Sequence, residues 1–159
     1  MVGGYVATGY SGRSTGEVDD ELSRYYEWYD IDRIFLDQQS ASTDQVGHYE
    51  ELYEYVKDQS GSSSIVVTNA GAPVPQAYID IAEIITVYEN SALPGDVLQD
   101  GMKDYNKSHF GILPYGTSVS ESQYDDLHEQ VGYVYVASHA SWMEVKGSVI
   151  DEQADWAGD

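Results

Sequence analysis

Arg33-Ile34-Phe35-Leu36-Asp37 sets three consecutive apolar residues ahead of an acid. An edge-exposed antiparallel strand alternates apolar and polar residues, whereas a strand covered on both sides is apolar without interruption. The run therefore reads as a strand of a parallel sheet covered by helices, or of a barrel. Working outward, β-rich runs of the same kind recur at residues 4–8, 64–68, 84–88, 109–113 and 132–137. Longer amphipathic stretches separate several of them, the alternation that builds βα units.

The first such stretch carries Val18, Leu22, Tyr25, Tyr26 and Tyr29 on one helical face, with Ser14 and Glu17 spaced as a capping box ahead of it. The second carries Val46, Tyr49, Leu52, Tyr53 and Val56, and is preceded by a similar pair, Ser42 and Gln45, before Gly61 ends it. Most of these tyrosines are expected in the core. Pro73 and Pro75 open a shorter helix through Ile81, and residues 119–131 supply another, with Tyr124, Leu127 and Val131 predicted to face inward. Residues 93–107 read as a loop with room for one helix. Six strands are two short of an eight-stranded barrel, so the alternatives are an open doubly wound sheet or a barrel lacking two units. No phosphate-cradling motif favours the doubly wound form, because the glycines at 9 and 12 lack both the P-loop Lys-Ser/Thr pair and the dinucleotide spacing.

At 159 residues the chain suits a single domain spanning 1–159. It has 28 acidic side chains against 7 Lys and Arg, a formal net charge of -21. Nucleic acid and anionic membrane surfaces bind clustered cations, so neither is an expected partner. The acids are spread along the whole chain, which points to a surface adapted to high salt, where charge repulsion is screened within about 3 Å at 1 M. With no cysteine, the chain has no disulfide, thiol nucleophile or thiolate metal site. The start has no signal-peptide pattern, and no apolar run is long enough to span a membrane.

In α/β sheets and barrels the ligand crevice lies beyond the C-terminal strand ends. Those positions hold Tyr10 after the first run, Asp37 and Gln38 after the second, Asn69 after the third, Glu89 and Asn90 after the fourth, Tyr115 after the fifth, and His139 after the sixth. Asp37 and Glu89 come from different strands and can converge, and a carboxylate pair is the minimum equipment for glycoside hydrolysis. Tyr10 and Tyr115 can stack on sugar rings. No His-Glu-x-x-His spacing occurs, so neither a catalytic zinc nor a cofactor is expected.

Several segments in order resemble the spherulation-specific family 4, whose spherulin-4-like members include fungal glycoside hydrolases that degrade galactosaminogalactan. They are Gly4-Tyr-Val-Ala-Thr-Gly-Tyr10 with Arg13, the stretch from Tyr25 to Asp37, Tyr49-Glu-Glu-Leu-Tyr53, Asn69-Ala-Gly71, Tyr78-Ile-Asp-Ile-Ala82, Val87-Tyr-Glu-Asn90 and Gly132-Tyr-Val-Tyr-Val136. The resemblance implies a (β/α) TIM-barrel-like fold of six βα units, with the first two missing and open edges through which the chain can self-associate. It also implies secretion and a polysaccharide or oligosaccharide partner, with catalytic acids in an Asp-Glu pair after one strand and a Glu after another. Here these fall on Asp37, Gln38 and Glu89. Gln38 departs from the pattern, since an amide binds sugar but transfers no proton at neutral pH. A hydrolase, a catalytically silent carbohydrate-binding relative and an acidic partner subunit are the three readings that follow, and the pocket is better supported for sugar binding than for hydrolysis.

Overall fold

The computed structural model describes residues 3–99 and 101–138. Its six strands are β1 (Gly3–Ala7), β2 (Arg33–Asp37), β3 (Ile65–Asn69), β4 (Ile84–Asn90), β5 (Phe110–Pro114) and β6 (Tyr133–Val134). All neighbours pair in parallel, in the order β1-β2-β3-β4-β5-β6. Three α-helices, α1 (Thr15–Trp28), α2 (Val46–Ser60) and α3 (Glu121–Gln130), and a 3₁₀ segment at Gln76–Ile81 connect them.

Strand order excludes the doubly wound alternative, which reverses direction partway across the sheet. An unreversed order with right-handed crossovers sends every connection over the same face. Alternation along the strands follows suit. Val6, Ile34, Leu36, Val66 and Ile85 are at most 1% exposed and form one core with Val18, Leu22, Leu52 and Val56 of the helices. The opposite face, including Phe35, Val67, Ile84, Leu113 and Tyr133, lines a concavity of about 750 Å³. Strands β1 and β6 are the two edges, and the sheet is not closed.

Helix α1 is capped as its sequence predicts: Glu17 N–H donates to Ser14 Oγ, and Glu17 carboxylate accepts from Ser14 N–H at 2.9 Å. Ser42 and Gln45 do not form the second box. Ser42 instead caps a 3₁₀ turn at Thr43–Gln45, accepting from Asp44 N–H, and α2 begins only after that turn without a side-chain cap. A working box appears at Ser120 and Gln123, ahead of α3. The helix after the prolines is a 3₁₀ segment, and Pro75 stands at its N-cap, outside the helical turns. Tyr124 and Tyr29 do not face inward. Tyr124 is 40% exposed and stacks on His128, while Tyr29 lies beyond the last turn of α1 and is 56% exposed.

Candidate active site

Asp37 ends β2, Asn69 ends β3 and Glu89 lies near the end of β4, so parallel pairing carries all three to the same rim. A register shift in the β4–β5 ladder between Thr86 and Tyr88 marks the approach to Glu89. Such irregularities re-aim the side chains that follow them.

Asn69 sits between the carboxylates. Its Nδ2 donates to Asp37 Oδ1 at 2.9 Å and to Glu89 Oε2 at 2.6 Å, while its Oδ1 accepts from Gly71 N–H at 3.0 Å. The Gly71 bond fixes which end of the amide faces the acids. Since both carboxylate bonds start at one nitrogen, their 2.9 and 2.6 Å lengths hold the two oxygens within about 5.5 Å of each other. Asn69 is buried, whereas Asp37 and Glu89 are half-buried and reach solvent.

Gly71 is required for this approach. Its φ is +63°, and a Cβ placed there would lie 3.3 Å from the Cβ of Glu89. Its carbonyl also accepts from Glu89 N–H at 3.0 Å, so the turn after β3 is tied to β4 beside the acid.

Asp37 receives three donors. Oδ1 accepts from Gln38 N–H at 2.8 Å and from Asn69, and Oδ2 accepts from Tyr5 Oη–H at 2.6 Å. Among the described residues Glu89 has one side-chain donor, Asn69, on Oε2. Gln38 thus serves the site through its backbone. Its φ is 56°, a left-handed conformation that costs a side-chain-bearing residue on the order of 1–3 kcal/mol. Its carbonyl accepts from Thr8 Oγ1 at 2.7 Å, Tyr10 N–H at 2.8 Å and Tyr49 Oη–H at 3.3 Å, and those bonds hold the peptide in place. Tyr10 is left-handed as well, at φ 57°, and 62% exposed at the rim.

Tyr5 is the residue of this cluster that reading by strand ends missed, because it lies in mid-strand. Its phenol is pushed up to about 12, first by the bond to Asp37, then by burial and by the charges of Asp37 and Glu89. Its ring stacks on Phe35 with centroids 6.0 Å apart. Asn90 and Tyr115 meet through a backbone bond from Tyr115 N–H to the Asn90 carbonyl, 2.9 Å. The Asn90 side chain turns back to accept from Ser91 N–H, and among the described residues no hydrogen bond ties either side chain to the carboxylates. His139 lies outside the described residues. No group of three or more His, Asp or Glu side chains able to hold a metal occurs among the described residues.

The chain is 33% identical to spherulin-4 of Physarum polycephalum over 89 residues, covering 55% of this chain and 26% of that protein. Its structure resembles the crystal structure of Aspergillus clavatus Sph3 in complex with GalNAc, with a TM-score of 0.71 and 26% identity. That likeness covers 84% of this chain and 62% of Sph3, so the chain spans about a quarter of the one relative and about three-fifths of the other. The family profile described as spherulation-specific family 4 matches residues 1–156. With the profile matched over nearly its whole length, the chain belongs to the spherulation-specific family 4.

Proposed function

We propose that this chain is a glycoside hydrolase-like protein that takes a galactosamine-containing polysaccharide at the Asp37–Glu89 site. The observation that carries the reading is the shared Asn69 donor, which keeps one oxygen of each carboxyl within about 5.5 Å of the other; so close an approach favours the retaining arrangement (carboxyls about 5–5.5 Å apart) over the inverting one (about 6.5–9.5 Å). The GalNAc complex of Sph3 supports an amino-sugar ligand.

In this mechanism the donors divide the roles. Asp37, with three donors on its oxygens, is the acceptor-only carboxylate and attacks the anomeric carbon. Glu89, with a single donor among the described residues, gives its proton to the departing glycosidic oxygen as the sugar C–O bond breaks. Water then attacks the anomeric carbon of the glycosyl ester, Glu89 takes a proton from it, and Asp37 is released as carboxylate. Tyr10 offers a sugar-stacking face at the rim. The open six-stranded sheet is read as six of the eight units of a (β/α) barrel.

A second reading, a binder without turnover, is favoured by Gln38, which holds an amide where the family pattern has an acid. Release of reducing ends from N-acetylgalactosamine oligosaccharides separates the two. A hydrolase releases them with retained anomeric configuration and loses on the order of 10²–10⁴-fold in rate in Asp37→Asn. A binder releases none, and Gln38→Glu then creates activity if that acid is what the site lacks.

A further inference from the structure

Tyr5 lies on the edge strand, two residues before Ala7, whose register partner is Asp37. Diagonal neighbours on adjacent strands are roughly 7–8 Å apart at the backbone, a span a tyrosine side chain covers. Its phenol ends 2.6 Å from Asp37 Oδ2, and stacking on Phe35, its own register partner, fixes the ring plane. Oδ1 is already held by Gln38 N–H and Asn69, and among the described residues Tyr5 alone restrains the second oxygen.

We propose that Tyr5 is a positioning residue that orients Asp37 and stabilises it as a leaving group when the sugar ester breaks down. The kinetic part rests on the retaining reading above; the structural part does not. A donor on the carboxylate opposes attack slightly, because it stabilises the charge that attack consumes. It assists the second step, in which the anomeric carbon–Oδ bond breaks and Asp37 recovers its electron pair and full negative charge. Tyr5 is not itself the nucleophile: the adjacent acids raise its phenol to about 12, so it keeps its proton.

Two measurements test this. In protein labelled at tyrosine Cζ, the Tyr5 carbon, identified by its loss in Tyr5→Phe, stays at the neutral-phenol shift near pH 11 in the parent chain. In Asp37→Asn it moves measurably toward phenolate, since the bond to Asp37 that raises it most, and the charge of Asp37, are gone while burial and the charge of Glu89 remain. Equal titration in both proteins overturns the proposal whether or not the chain cleaves sugar. On N-acetylgalactosamine oligosaccharides, Tyr5→Phe lowers kcat roughly ten- to hundredfold and lowers KM with it, leaving kcat/KM within about threefold, because deglycosylation alone is slowed. A fall in kcat/KM that matches kcat overturns the leaving-group role. If the titration result holds but the parent chain cleaves nothing, the hydrolase reading and the kinetic half fail, and the orienting role is upheld.

Discussion

At the scale of single residues the site depends on one amide. Among the described residues Asn69 is the only side chain bonded to both acids, and removing it takes away the donor that the two carboxylates share. Asn69→Ala is expected to weaken sugar binding or turnover about tenfold or more, measured by titration or initial rates. Gly71→Ala forces a left-handed alanine against Glu89, and urea unfolding should register a loss of about 1–2 kcal/mol. Asp37 and Glu89 were legible because acids that follow apolar strands stand at the rim of any parallel sheet. Tyr5 was not, since only the β1–β2 register reveals that a mid-strand tyrosine reaches the end of the next strand. The role of Gln38 was legible only in part. Its side chain reads as a lost acid, while its backbone, held left-handed by three donors, is what touches Asp37.

At the scale of elements, each β-rich run became a strand, with starts shifted by no more than a residue, because β-branched and aromatic runs between turn signals have little freedom in a parallel sheet. Caps were less certain. Ser14 and Glu17 form their box, whereas Ser42 caps a 3₁₀ turn because that turn intervenes before α2. Ser14→Ala is expected to cost about 1 kcal/mol by denaturant unfolding, and Ser42→Ala less. Tyrosines also link elements. Tyr53 Oη donates to Glu83 at 3.0 Å, joining α2 to the entry of β4, and Tyr78 donates to the Ser42 carbonyl at 2.6 Å. Burial comes first in raising each of these phenols to about 12, and Tyr5 stands equally high because of Asp37. A folded-state value above the unfolded one contributes stability that is present below the unfolded value, near 10, and lost as pH rises toward 12. The melting temperature should therefore fall across that window, and the fall should be shallower in Tyr53→Phe.

At the scale of the whole molecule, the unreversed strand order of the described residues puts none of their helices on one face of the sheet and makes β1 and β6 its two edges. Composition could not reveal this, since a run covered on both sides is equally apolar in a closed barrel and in part of one. Among the described residues, all six exposed large hydrophobic side chains lie in or beside elements at these edges: Tyr5, Tyr10, Trp28 and Tyr29 by β1 and α1, Tyr124 and Tyr133 by α3 and β6. Sedimentation should show concentration-dependent self-association, and a constant monomeric coefficient contradicts association through the edges. A net charge of -21 predicts that molar KCl raises the melting temperature by screening repulsion; a fall contradicts a salt-adapted surface. The carboxylates bridged by Asn69 are the proposed sugar site. Titrating ¹⁵N-labelled protein with N-acetylgalactosamine tests it under either reading, hydrolase or binder. Saturable shifts of the Asn69 side-chain amide and the Gln38 N–H, abolished in a folded Asp37→Asn, are expected; saturable shifts elsewhere with these two unmoved would overturn sugar binding at this site.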